Sequence, residues 1–176
     1  MDVIQLNEHW IKNVLASSVT SLTKDQIILI KRLTPNIIVL FDGDQAGLSA
    51  SLRSIDMILE EGLNVKICSF PEGDDPDSFV RKNKKEKMLE FINNESKDFV
   101  DFKLSINKSF KDDEDEKVSL IRNILKSISL IPDTLKQEIY IKKLSAVLEI
   151  DESSLFRTFS NIGVTKSFKR SYKNTY

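Results

Sequence analysis

Hydrophobic and polar positions along this chain change rhythm near residue 94. Before that point, short apolar runs rich in β-branched residues alternate with stretches of helical period, the pattern of a parallel α/β sheet. Asp2 to Trp10 reads as a short helix, and Asn13 to Ala16 as a weak strand followed by a loop over Ser17 to Ser21. Thr23 stands where it can cap a helix running to about Arg32, with Ile27, Ile28 and Ile30 as apolar positions. Ile37-Ile38-Val39-Leu40-Phe41 is continuously apolar and predicts a strand buried on both faces. Asp42-Gly43-Asp44 follows, then a long helix to about Glu61 with Gly62 as its stop. Val65 to Phe70 predicts the last strand, and Asp77 the cap of a short helix carrying Phe79 and Val80.

Beyond Glu86 the pattern is helical only. Helices are predicted over 97–107, 116–131, 134–148 and 152–161, the last capped by Asp151. The second carries Val118, Ile121, Ile124, Leu125 and Ile128 on one face and ends before Pro132. The acidic run from Lys111 to Glu116 reads as a solvated loop, because like charges repel and prefer water. From Val164 onward the chain has Lys166, Lys169, Arg170 and Lys173 and no acid, the composition of a disordered linker. The expected domains are therefore 1–94, a helical subdomain over 95–162, and a basic tail over 163–176.

Composition narrows the class. With 176 residues, 40% hydrophobic and 30% charged, the chain fits a soluble globular protein. No apolar run approaches the ~18 residues that cross a bilayer. Met1-Asp2-Val3-Ile4 lacks the pattern of a signal peptide, so a cytoplasmic protein is expected. One cysteine, Cys68, excludes an internal disulfide framework and a multi-cysteine zinc site. A net charge of -1 lacks the basic surplus of a free-standing nucleic-acid binder. Any handling of nucleic acid would need metal ions or a basic region elsewhere.

Two acidic clusters carry the candidate chemistry. Asp42 and Asp44 follow the most apolar strand, and in open parallel sheets ligands bind beyond the carboxyl ends of the strands. Side chains two apart in extended backbone project to one side. Gly47 leaves room for a phosphate near the start of the next helix. A plain turn with a helix cap explains this segment equally well. Asp74-Asp75-Pro76-Asp77 follows the next strand, and by itself reads as an acidic loop with a cap. Together the clusters face one crevice, where crowded carboxylates raise each other's pKa unless a cation intervenes. Hard oxygen donors of this kind suit Mg²⁺ or Mn²⁺.

Other reactive residues have blander readings. His9 is expected at an exposed helix end; Trp10, Phe79, Phe91, Phe99 and Phe102 are expected in the core, and Cys68 inert in a buried strand. Arg53, Arg81 and Lys82 are read as surface cations, with phosphate contact as the alternative.

The run from Asn13 to Lys82 resembles the catalytic core of bacterial DnaG-type DNA primases, which contains a TOPRIM domain. The matching pieces are Ala16-Ser17-Ser18, Ser21-Leu22-Thr23, Asp42-Gly43-Asp44-Gln45-Ala46-Gly47 and Pro71-Glu72-Gly73-Asp74-Asp75-Pro76-Asp77-Ser78. Val19 departs from the glycine usual in its loop. The resemblance implies an incomplete TOPRIM parallel sheet with flanking helices, followed by an all-α helical subdomain. It implies metal-dependent synthesis of RNA primers on a single-stranded DNA template, in which a 3′-hydroxyl attacks the α-phosphate of an NTP and releases pyrophosphate. Asp42 and Asp44 would be the catalytic, principal metal ligands. Asp75 and Asp77 would complete the site, and Asp2 would lie at its edge. Mg²⁺ or Mn²⁺ is the implied cofactor, with no zinc site in this chain.

The same resemblance implies that the family's glutamate and its strand would precede residue 1. Its zinc module, its basic template-gripping half and its contact region for the replicative helicase would lie outside the chain. This polypeptide alone is then expected to be monomeric, away from membranes and inactive in priming. Two rivals stay open: another TOPRIM enzyme (a topoisomerase or OLD-type nuclease), or a truncated, non-catalytic module that binds replication partners. The other TOPRIM enzymes share Asp-x-Asp but lack the later Asp-Pro-Asp in this order. A receiver-like signalling domain is disfavoured, because no lysine follows the last strand in the required place.

Overall fold

The computed structural model describes every residue except 1, 9–10, 17–21, 42–44, 72, 84, 108–112 and 174–176. For 2, 5, 41, 45–51 and 163–173 it describes the backbone but not the side chains. The described chain is mostly helical, with a small mixed sheet of three strands, and divides into compact units over 1–99 and 100–176.

In the first unit, α1 (Asp2–Glu8) leads into an extended segment. The strand expected over Asn13–Ala16 does not form. This stretch has no paired neighbour, and Ile11 and Val14 pack into the core from irregular backbone. α2 (Lys24–Lys31) starts at Thr23 as the sequence predicts: Thr23 Oγ1 accepts from Gln26 N at 3.3 Å, and Gln26 Oε1 accepts from Thr23 N at 2.9 Å. Two donors that the helix leaves unpaired are thereby satisfied.

β1 (Asn36–Phe41) and β2 (Asn64–Ser69) pair in parallel, from Asn36 opposite Asn64 to Phe41 opposite Ser69. At the start of the register Asn64 Nδ2 donates to Asn36 Oδ1 at 2.8 Å. The crossover is α3 (Gln45–Glu60), ended at Gly62, whose φ of +79° an L side chain rarely adopts. β1 is not buried on both faces. Among the described residues it is the edge of the sheet, and Ile38 is 44% exposed. An apolar run identifies a strand but does not say which neighbours cover it. β2 is the buried strand, contributing Val65, Ile67 and Cys68. It is not the last one: β3 (Lys97–Asp98) adds two residues antiparallel to it, too short to leave a period-2 pattern.

After β2 come α4 (Pro76–Lys82) and α5 (Lys85–Glu95). Leu6, Ile11, Phe70, Val80 and Met88 form a buried cluster, with Phe79 and Phe91 packed on it. The rings of Phe70, Phe79 and Phe91 lie 4.6–5.4 Å apart, centroid to centroid. Such pairs contribute about 0.5–1.5 kcal/mol each beyond area burial. They clamp the end of β2 to α4, and so fix where the second acidic cluster sits.

α6 (Phe99–Ile106) crosses the division between the units, and α7 (Glu114–Ile128), α8 (Thr134–Leu148) and α9 (Glu152–Lys173) belong to the second. Phe99 and Phe102 are buried, as expected. α7 starts earlier than predicted. Asp113 accepts from Asp115 N and Glu116 N, so the described part of the acidic run is a capped first turn rather than a loop. Acids are stabilised there by the helix dipole. On α7 Ile121, Ile124, Leu125 and Ile128 are buried as predicted, whereas Val118 is 46% exposed. α8 matches its predicted span, with Asp133 as cap. α9 continues past the predicted end at Asn161 to Lys173. From 164 to 173 the sequence holds neither proline nor glycine to stop a helix.

Candidate metal-binding carboxylate site

The second acidic cluster is built by three local devices. Phe70 anchors the chain as it leaves β2. Gly73, with φ +84°, turns it. Asp75, not Asp77, then caps α4: its Oδ1 accepts from Ser78 N at 2.6 Å, and Ser78 Oγ accepts from Asp75 N at 2.9 Å. Pro76 at the first helical position explains the correction, since proline is favoured there and the cap is the residue before it. The cap hydrogen bonds from Ser78 hold the Asp75 carboxyl below its ordinary pKa.

The neighbouring acids are engaged as well. Asp74 receives the Lys82 ammonium and a hydrogen bond from Ser78 Oγ at 3.3 Å. Asp77 Oδ1 accepts from Arg81 Nε at 3.1 Å. The side chains of Asp74 and Asp77 are 22% and 20% exposed, whereas those of Lys82 and Arg81 are 63% and 53% exposed. The carboxylates are thus partly sunk, and the cations cover them from the solvent side. Sequence reasoning placed Arg81 and Lys82 on the surface and missed these pairings. The i,i+4 spacing of Asp77 and Arg81 was the available signal for one of them.

Asp42 and Asp44 lie outside the described residues, as do the side chain of Asp2, the loop 17–21, and His9 and Trp10. What is described is the approach to Asp42: it follows Phe41, the last paired residue of β1, while the second cluster follows β2 through the turn at Gly73. In sequence, each acidic segment follows the carboxyl end of one of two adjacent parallel strands. Among the described residues, no group of three or more His, Cys, Asp or Glu side chains could hold a metal ion. Asp75 and Asp77 have the donor chemistry for Mg²⁺ or Mn²⁺ but do not form a site by themselves. A site fits only if Asp42 and Asp44 supply the principal ligands. Cys68 is buried, and that burial pushes its thiol pKa up to about 11, consistent with an inert residue. No helix among the described residues is long and apolar enough to cross a membrane.

Comparison with known proteins defines the class first. Residues 1–80 match the Toprim-like family, and residues 111–153 match the DnaB-helicase binding domain of primase. The second match corrects the expectation that a helicase-contact region would lie wholly outside the chain. Helical periodicity shows helices but not the partner they serve. A DNA primase from Clostridium acetobutylicum is 36% identical over 164 residues, which cover 91% of this chain and 27% of that protein. A DNA primase domain from Pseudomonas aeruginosa superposes with a TM-score of 0.77 at 25% identity, covering 90% of this chain and 51% of that one. A DnaG primase catalytic domain bound to single-stranded DNA superposes with a TM-score of 0.69 at 30% identity, covering 81% and 47%.

The fold is thus a TOPRIM-type sheet followed by a primase helical segment. Over about nine-tenths of its length the chain is similar to bacterial DNA primases. It spans about a quarter of the length of the curated relatives it matches.

Proposed function

We propose that this chain supplies most of the metal-binding carboxylates for metal-dependent synthesis of RNA primers on single-stranded DNA. The observation that supports the reading is the parallel register of β1 and β2, which ends level at Phe41 and Ser69, with Asp42 next in sequence after the first and the second acidic cluster following the other. The relation to primases supports it, as does the relative captured on single-stranded DNA.

In this reading Asp42 and Asp44 are the catalytic residues and principal ligands. Asp75 and Asp77 complete the site directly or through water, and Asp2 lies at its edge. Bound Mg²⁺ or Mn²⁺ would supply neutralisation of phosphate charge. The chain's own residues do the positioning: the Asp75–Ser78 cap fixes the start of α4, and Phe79 fixes its face against Phe70. The net charge of -1 provides no surplus to grip a polyanion, so template and NTP contacts depend on metal-bound phosphate. Alone, the chain makes no primer. Residues 111–153 serve as the helicase contact, and the protein works as a cytoplasmic monomer.

A second reading, a non-catalytic module for replication partners, draws on the ion pairs that already occupy Asp74 and Asp77. Mn²⁺ binding followed by electron paramagnetic resonance separates the two. The catalytic reading expects binding that Asp42→Asn and Asp44→Asn each abolish with the circular dichroism spectrum unchanged. Absence of Mn²⁺ binding at millimolar concentration would sink it in favour of the module.

A further inference from the structure

Helix α8 carries apolar residues on two sides, and among the described residues only one side is covered by the fold. We propose that the other side, with Leu135 and Ile139 at its centre, is the surface that docks on a DnaB-type helicase. The proposal rests on the reading of residues 111–153 as the helicase contact, and names the face of that segment that makes it.

The covered side holds Ile141 and Leu144, both fully buried, and α8 packs against α7 and α9. On the opposite side Leu135 is 67% and Ile139 63% exposed. Residues four apart share one helix face, and Lys142 and Ala146, also exposed, continue the same row. Local structure does not require this row to be apolar. Neither Leu135 nor Ile139 belongs to the buried core, and isoleucine is a poorer helix former than lysine, glutamine or glutamate. Exposed apolar residues scattered singly are ordinary. Two stacked on successive turns form a ridge that a partner's groove can receive.

The ridge is held in place before any partner arrives. Asp133 Oδ1 accepts from Leu135 N and Lys136 N, and Gln137 Nε2 donates to Ile131 O at 2.6 Å. Midway along α8, Lys143 Nζ pairs with Asp101 Oδ2 of α6 at 2.5 Å. Docking therefore orders little that is not already ordered, and such preorganisation favours affinity. The position of the ridge names its occupant: it lies wholly within the segment that matches the DnaB-helicase binding domain of primase. Lys142, set in the same row, adds to the partner's chemistry. The helicase surface is an apolar groove with a carboxylate facing that ammonium.

The test is binding of the full chain to its cognate DnaB-type helicase by biolayer interferometry. Wild type is compared with Leu135→Glu, Ile139→Glu, Lys142→Glu and the double variant Leu135→Ala with Ile139→Ala. Leu29→Glu is the control, an equally charged change at a 57% exposed leucine on α2, outside the matched segment. Each glutamate at Leu135 or Ile139 is expected to weaken binding about tenfold or more, and the double alanine variant to a similar extent. Lys142→Glu is expected to weaken it by a factor that shrinks at high salt. Leu29→Glu is expected to leave it unchanged. Circular dichroism melts check folding, and the alanine variant, which adds no charge, keeps the test decisive where a glutamate variant melts early. Wild-type affinity retained by the Leu135 and Ile139 variants would overturn the proposal and leave the helicase-contact reading standing. Equal weakening by Leu29→Glu would do the same, by reducing the effect to added charge. No binding by wild type at high micromolar concentration would overturn both.

Discussion

Phe41 and Ser69 are Cα partners at the carboxyl ends of two parallel strands, so the backbones leading to Asp42 and to Asp74 leave the sheet side by side. Adjacent strands in a sheet lie about 4.8 Å apart. The first cluster adjoins its strand end. The second is held back from its own by the Gly73 turn and the α4 cap, and this makes its position depend on packing.

That dependence can be measured at Phe79. Its ring meets Phe70 and Phe91 at 5.4 and 4.6 Å. Phe79→Ala is expected to destabilise the first unit by about 3 kcal/mol, read by urea denaturation. At urea-free equilibrium it should also weaken Mn²⁺ binding, because α4 is no longer pinned to the end of β2.

The α4 cap predicts a split between substitutions. Asp75→Ala removes the acceptor for Ser78 N and is expected to cost about 1 kcal/mol. Asp75→Ser preserves capping and should recover most of that stability. If Asp75 is also a ligand, Asp75→Ser will not recover metal affinity.

The same cap sets a pH dependence. The folded-state pKa of Asp75 lies below its unfolded value because the Ser78 hydrogen bonds favour the ionised form. Its contribution is therefore fully present above the unfolded carboxylate range, and is lost as pH falls from that range through the lower folded value. Denaturation midpoints measured from neutral pH into acid should decline more steeply for wild type than for Asp75→Asn.

Lys103 predicts a separate stability effect. It is 3% exposed on α6 and donates to Ser127 Oγ at 2.6 Å and Asn123 Oδ1 at 2.9 Å. Ser127→Ala weakens the solvation of a buried ammonium and is expected to destabilise the second unit by about 2 kcal/mol. Lys103→Met removes the charge along with its need for partners, and should be nearly neutral or stabilising in the same thermal melt.

Cys68 should resist thiol reagents. With the thiol buried and its pKa about 11, Ellman's reagent at pH 8 is expected to react at the rate of local opening, and rapidly only after unfolding. Fast reaction in the native protein would contradict the burial of β2.

What the sequence settled by itself was local. Thr23 with Gln26, Asp151 ahead of Glu152 and Gly62 after α3 mark helix ends, because a cap is satisfied by backbone within three or four residues. The span of α8 was legible for the same reason. The acidic segments beyond two strands were legible as a pattern, and so was their resemblance to a primase core.

Tertiary structure decided matters that depend on distant neighbours. Ile38 lies on an edge rather than in a covered strand, Lys82 reaches back eight positions to Asp74, and Lys103 is buried against α7 twenty or more residues away. None of these has a local signature: hydrophobicity says that a residue can be buried, and charge says that it can pair. Which surface covers the first, and which partner meets the second, follows only when the sheet order and helix packing bring remote segments together.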